Sequence, residues 1–581
     1  MHNSTARLLL AAILLAFPLA GCNKSDPAAE TATSSPAVRY DIVIRNGRVF
    51  DGSGAPAQDL DVAILDGRIA ALLPRASKVE TYREIDAQGQ AVAPGFINVL
   101  SWAVDSLIAD GRGLSDTRQG VTTEIFGEGW SMGPLSEAMK VDAVKQQGDI
   151  KYEIEWTTLG EYLDYLQARG VTPNVASFVG ATTVRINVLG EDNVDPDDAQ
   201  LHQMQDLVRA AMAEGALGVG ASLIYPPAFF AETPELIALA SAAAETGGGY
   251  VAHMRSEANQ LAQALDETIA IATATGKHTE AYHLKAAGEG NWPKMAEAID
   301  KINSARADGV DIAANMYAYT AGATGLTAAL PPWVQAGGHE AMIARLKDPA
   351  VREKVIKEIG QPSDEWENLR LLAGDDSRVL FIGFRSEAMK PLIGKTLAEV
   401  SSERGSSAED TIIDLIIEDD SHVDTAYFLM SEDNVELGLS QPWTTLGSDA
   451  ESSAPEGIFL KSSTHPRAYG NFARFLGHYV RDRKLMSLEQ GIHRLTGMPA
   501  ANWKLRDRGC LAEGCYADIV IFDPDTIMDH STYEKPMQLA TGVSDVFVNG
   551  VQVLENGKHT GAKPGQVIRG PGWTGWNTAS E

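Results

Sequence analysis

The sequence predicts an α/β fold: a (β/α)8, TIM-like barrel with a small β-sandwich built from the N- and C-terminal segments. Three observations carry that expectation. Across residues 93–495, apolar runs that read as strands (NVASFVG, GALGVGASL, GGGYVAHM, HTEAYHLKAAG, VDIAANMYAY, VLFIGF and TAYFLMS) alternate with segments of helical periodicity such as TPELIALASAAAETG. Repeated β-then-α order over that length is the pattern of a parallel barrel. Near the start, DIVIRNGRVFDG and DVAILDGRIAAL alternate apolar and polar residues and turn at Asn-Gly and Asp-Gly, pairs suited to tight hairpins. Near the end, YADIVIFD and VSDVFVNGVQVLENGK repeat that style. Residues 39–92 and 496–581 are therefore expected to hold the two parts of one sandwich, the second together with a C-terminal segment, and the charged, helix-rich stretch near 337–376 to be an insertion over the barrel mouth.

The first residues stand apart from the fold. Arg7 precedes the apolar run Leu8 to Ala20, which suits a signal-peptide core and is shorter than the ~20 residues of a spanning helix. LAGC then ends the run at Cys22 and resembles the lipobox of bacterial lipoproteins. Residues 1–21 are accordingly expected to be removed, Cys22 to carry lipid, and the small, polar residues 22–38 to form a flexible tether. A plain secretory signal with an incidental cysteine is the other reading. Asn23, by resemblance to the Gram-negative sorting rule, points to an outer-membrane lipoprotein on the periplasmic side.

The chain of 581 residues carries 78 acidic against 48 basic side chains, a net charge of -30. That balance disfavours nucleic acid and anionic lipid as partners, which leaves the anchor on Cys22 as the membrane link. Cys510 and Cys515 flank the four residues LAEG. A short hairpin loop brings such positions within bonding distance, and an oxidising compartment would keep a disulfide. Two free thiols are the alternative.

Chemistry in a (β/α)8 barrel sits where strands end. His253 closes YVAH, His283 closes EAYH and Asp449 closes PWTTLGSD, so two imidazoles and a carboxylate are expected to converge there, a set able to bind metal or move protons. The alternative for Asp449 is a cap on the turn after its strand.

The segments APGFI, QGVTTEIFGEGWSMGP, SLIYPP, AHMRSE, HLKAAG, YAYTAGATGL, LGSDAE, HPRAYGNFARFLGHYV and GKHTGAKPG are spread from about Tyr40 to the end. Together they resemble the D-aminoacylase (N-acyl-D-amino-acid deacylase) branch of the amidohydrolase superfamily. The resemblance implies that His253 and His283 are ligands of the tighter zinc site and that Asp449 is the catalytic aspartate. Where the family has a cysteine ligand, this chain has Glu128 in GEGWS. A carboxylate beside two imidazoles is an ordinary zinc set, although a Gly-rich turn could also satisfy Glu128 with its own amides. Leu100 and Trp102 stand where the family has its His-x-His pair, and Asn98 replaces the preceding aspartate. None of the twelve histidines lies two residues from another, so a single Zn2+ is expected.

The resemblance further implies that Lys285, Arg467 and one tyrosine of YAYT, Tyr317 or Tyr319, hold a substrate carboxylate. It places Arg255 near the substrate side chain or behind the ligands, and Tyr225 at the scissile carbonyl or in the core. The expected function is zinc-dependent hydrolysis of a linear amide, deacylation of N-acyl-D-amino acids, by activated water with Asp449 as general base and acid. Trp102, Trp130 and Glu128 alter the pocket, so a dipeptidase or cyclic amide hydrolase of the same superfamily stands as an alternative. A non-catalytic periplasmic binder stands beside it.

Overall fold

In a computed structural model, described over residues 38–577, eight strands run parallel around a closed barrel. We number them β1 (Phe96–Asn98), β2 (Val121–Phe126), β3 (Asn174–Ser177, continued by Val179–Gly180), β4 (Gly218–Ser222), β5 (Gly249–His253), β6 (Thr279–Ala281), β7 (Ile312–Met316) and β8 (Thr444–Leu446). Each pairs in parallel with the next. The ring closes where the extension of β1 meets that of β8: Val99 N lies 3.4 Å from Leu446 O, and Asp449 N lies 2.9 Å from Leu100 O. The apolar N-terminal run and Cys22 lie outside the described residues.

These strands are buried on both faces, which is why they read as unbroken apolar runs. Ile97, Ile125, Ala176, Phe178, Leu217, Val251 and Tyr282 fill the interior, and Ala500, Trp503, Leu505 and Ile568 extend that layer across the barrel floor. The helices begin and end on local signals. Asp197 and Gln200 form a capping box at the start of Asp198–Ala213, and Leu261–Thr275 stops at Gly276, where φ is +59° and a side chain would be strained.

The sandwich is assembled from both chain ends. One sheet holds Arg39–Arg45, Leu60–Leu65, Arg68–Pro74 and Glu80–Asp86, all N-terminal. The other pairs Ala91–Pro94 with Ile519–Phe522 in antiparallel register. Ile42, Ile44, Val62, Ile64, Val92, Ile519, Ile521 and Phe547 pack between the sheets. Cys510 and Cys515 are joined in a disulfide in the loop leading to Ile519, and Ile69 N bonds Cys515 O at 2.8 Å, tying that loop to the N-terminal sheet.

Two features differ from the sequence expectation, both in the insertion. VLFIGF and TAYFLMS do not supply barrel strands: Val379–Gly383 and Asp424–Phe428 pair antiparallel, with Ala321–Gly325, in a separate three-stranded sheet. The insertion between β7 and β8 is accordingly larger than 337–376 and runs from that first strand to the last. The C-terminal segment leaves the sandwich after Lys558–His559. It returns beneath the barrel, where Ile568 N bonds Val175 O and Gly570 N bonds Gly215 O, both at 2.8 Å.

Candidate active site

Four side chains meet at the C-terminal mouth of the barrel, each placed by a strand end. Glu128 follows β2 in a turn whose flanking Gly127 and Gly129 have φ of +106° and +73°. A Cβ on Gly129 would sit 2.0 Å from Ser222 Oγ, so the two glycines let the turn press inward against β4. His253 is the last residue of β5. His283, just past β6, has φ of +31°, and Asp449, past β8, has φ of +51°. Side-chain-bearing residues in that region cost on the order of 1 to 3 kcal/mol each and persist where neighbours hold them. Here His283 N is held by Asn315 Oδ1 at 2.9 Å.

Glu128, His253 and His283 are buried, and one donor atom from each lies within 4.8 Å of the other two. Glu128 Oε1 is 3.2 Å from His253 Nδ1 and 2.9 Å from His283 Nε2. Ligand atoms on a tetrahedral ion, each about 2.0 to 2.2 Å from it, lie roughly 3.3 to 3.5 Å from one another. The three residues thus fit a metal with little movement. Burial opposes the charge on Glu128, yet the facing histidines hold its carboxyl well below the usual carboxylate range. Burial and Lys285 oppose protonation of His283, but Glu257 and Glu128 outweigh them and hold its pKa up at about 9.

Glu257 supports this cluster from behind and was not among the residues expected. Its Oε1 is 3.0 Å from His283 Nδ1, its Oε2 is 3.4 Å from His253 Nε2, and both oxygens accept from Lys285 Nζ at 2.7 and 2.6 Å. A carboxylate on the far ring nitrogen fixes the imidazole that would bind metal through the other. The available signal was its place in AHMRSE, four residues after His253. The insertion reaches the same loop, where Glu367 Oε1 accepts from Ser256 Oγ and from the amides of Glu257 and Ala258 at 2.6 to 2.7 Å.

Asp449 completes the mouth. Its Oδ2 is 2.9 Å from Arg467 Nη2, and its Oδ1 is 3.2 Å from the indole nitrogen of Trp102, which also donates to Glu128 Oε2 at 2.9 Å. Burial pushes the Asp449 carboxyl up, opposed by Arg467 and aided by Glu128. Asn98 ligates nothing. Its Oδ1 accepts from Ser448 N at 2.8 Å and its Nδ2 donates to Glu124, Asp116 and Ser448, so it steadies the residue before Asp449. Leu100 packs in the barrel interior.

The remaining expected residues divide. Arg467 is buried, with its Cζ 4.6 Å from the Tyr317 ring, and its Nε and Nη1 have no hydrogen-bond partner among the described residues. Lys285 Nζ lies 2.9 Å from His283 Nδ1. The Tyr225 ring stands 5.3 Å from that of His253. Tyr317 therefore takes the place beside Arg467, whereas Tyr319 donates to Asp529 at 3.2 Å. Arg255 is likewise engaged away from the cluster, with Glu267 and with the carbonyls of Phe229 and Ala231. Tyr319 and Arg255 thus have their polar atoms engaged with these partners and not with the cluster.

Comparison with known proteins agrees with this geometry. The model of the Amidohydrolase family matches residues 83–554. The D-aminoacylase of Alcaligenes xylosoxydans xylosoxydans is 31% identical over 533 residues, covering 91% of this chain and 97% of its own. A solved D-aminoacylase, described as having a binuclear metal centre with one-metal activation and second-metal attenuation, superposes with a TM-score of 0.76 at 30% identity, over 91% of this chain and 100% of its own. The N-acyl-D-glutamate deacylase of Bordetella bronchiseptica, solved with zinc and a phosphonate mimic of the tetrahedral intermediate, gives 0.74 at 29% identity, over 92% and 100%.

Proposed function

This chain belongs to the amidohydrolase family, and from that premise we propose that it removes the acyl group from N-acyl-D-amino acids using one zinc ion held by Glu128, His253 and His283. The observation that carries the substrate class is Arg467. Its Nε and Nη1 are buried without partners while Nη2 holds Asp449. Leaving buried donors unpaired costs about 1 to 3 kcal/mol, and a substrate carboxylate on the Nη1 side would satisfy that donor with a charge-assisted hydrogen bond. Lys285 adds positive charge to the same mouth. The D configuration is proposed from the names of the relatives.

A zinc ion bound there would supply Lewis acidity and lower the pKa of a water from about 15.7 towards about 7. Asp449 is placed to accept the proton of the water that attacks the amide carbonyl, and then to return it to the departing amine nitrogen, which cannot leave as an anion. A carboxyl raised by burial suits both halves of that task. Arg467 on Oδ2 and Trp102 on Oδ1 fix the orientation of the carboxylate between the two transfers. Glu257 holds the His283 ring and is itself held by Lys285, and Tyr225 stands beside His253, where its hydroxyl can meet the carbonyl oxygen. A non-catalytic binder would have no use for Asp449 beside an intact donor set. A dipeptidase or cyclic amide hydrolase lacks the support that the deacylase relatives give.

We also propose export and lipid anchoring through Cys22, supported by Arg7, the apolar run and LAGC. Replacing Cys22 by Ser should release the protein from the membrane fraction; continued membrane partitioning would refute the anchor. For the activity, the test is a panel of N-acetyl-D-amino acids, N-acetyl-L-amino acids, dipeptides and hydantoins, assayed with zinc and after chelation. The D-amino acid series should be hydrolysed and chelation should stop it. Turnover confined to dipeptides or cyclic amides would overturn the substrate assignment.

A further inference from the structure

We propose that the Trp102 indole stands in for a second cation: it bridges Glu128 and Asp449, limits the centre to one ion and positions Asp449 for proton transfer. The inference rests on reading Glu128, His253 and His283 as a metal site. Two buried carboxylates face each other at the mouth, and each has one oxygen committed. Glu128 Oε1 faces the histidines and Asp449 Oδ2 faces Arg467. The other two oxygens converge on a single proton, that of Trp102 Nε1, at 2.9 and 3.2 Å.

Two like charges so placed repel each other, and partial positive charge between their facing oxygens offsets part of that repulsion. A bridging divalent ion could provide it, but it would need a further ligand and space, and the indole ring occupies the space. The neighbour that might ligate, Leu100, is apolar and packed in the interior. The indole is a donor only and carries one proton it does not give up, so the bridge supplies a fixed partial positive charge and no coordinating lone pair.

The backbone makes this placement rigid. Trp102 N bonds Ala450 O at 3.0 Å and Asp449 N bonds Leu100 O at 2.9 Å, so the extensions of β1 and β8 are paired where the indole and the carboxylate meet. Trp102 acts through Asp449 and Glu128 and is a positioning residue.

The test compares wild type, Trp102→His and Trp102→Phe, each stripped with chelator, reloaded with zinc, assayed for ion content and titrated calorimetrically, with thermal unfolding to confirm that each is folded. Wild type should saturate at one ion per chain, and Trp102→His, which offers a ligand and space, should take up a second. Trp102→Phe keeps the ring volume and loses the proton; its kcat on the best substrate should fall about tenfold while KM changes less than about twofold. Two ions on wild type, or a folded Trp102→His still limited to one, would overturn the inference and leave the metal-site reading standing. So would a Trp102→Phe protein with wild-type kcat. No ion on wild type would overturn both.

Discussion

The two ends of the barrel use the same residue types to opposite effect. At the floor, just before β6, His278 lies between two carboxylates: Nδ1 is 2.8 Å from Asp311 Oδ1 and Nε2 is 3.0 Å from Glu280 Oε1. Glu280 is satisfied in turn by Asn502 and Asn315, and Trp503 packs on the ring at 5.0 Å between centroids. Both nitrogens of His278 thus have their own acceptors, and the two carboxylates lie on opposite sides of the ring. At the mouth, two histidines share one oxygen of Glu128, and Arg467 keeps two buried nitrogens unpaired. Composition alone does not separate a structural ion cluster from a reactive one. Convergence of several donor atoms on one point does.

The largest expected difference between the ends is in kcat. Asp449→Asn keeps the shape of the mouth but cannot take up a proton, so kcat should fall by roughly 100- to 10,000-fold with zinc content and thermal stability near wild type. Near-normal turnover would remove Asp449 from the mechanism and make the mouth as inert as the floor.

His278 should matter to stability and not to turnover. Burial disfavours its charge, but Asp311 and Glu280 outweigh burial and hold its pKa up at about 9. An unfolded histidine titrates near 6.5. The folded pKa is the higher one, so the contribution is fully present below about pH 6.5 and is lost as pH rises through about 9. It amounts to about 3 kcal/mol. Denaturant unfolding of His278→Gln should lose that pH-dependent component while kcat is kept; an unchanged pH dependence would show that the floor cluster does not act as an ion pair.

A smaller effect is expected in the sandwich, remote from both ends. Cys510 and Cys515 are five positions apart, and closing so short a loop is worth about 2 kcal/mol by chain entropy. Cys510→Ser with Cys515→Ser should lower stability by that amount and leave zinc content and kcat alone. A loss of activity would mean that the sandwich couples to the mouth.

Much of this arrangement was legible in the chain. Two hairpin-like ends with matching style gave the split sandwich, and His253, His283 and Asp449 were visible because strand ends are where a barrel gathers its chemistry. The insertion was harder. Val379–Gly383 and Asp424–Phe428 are short apolar runs, and such runs carry no sign of whether they pair parallel in a barrel or antiparallel beside it. Glu257 was in view inside AHMRSE, but its contacts with His283 and Lys285 depend on how the loop after β5 turns. In the sequence Trp102 marks a missing ligand and an altered pocket. Its use as a donor needs Asp449, 347 residues away, a neighbour set by barrel closure and not by local sequence.

The contrast between the two histidines gives the most direct measurement. Purified wild type, His283→Ala and His278→Ala, each reloaded with zinc and dialysed, would be assayed for metal by elemental analysis and for N-acyl-D-amino acid hydrolysis. Wild type should hold one ion per chain, His278→Ala should keep both ion and activity, and His283→Ala should lose both. A full equivalent of zinc and normal hydrolysis in His283→Ala, or a wild-type protein that binds no zinc, would contradict the assignment of the mouth as the metal centre.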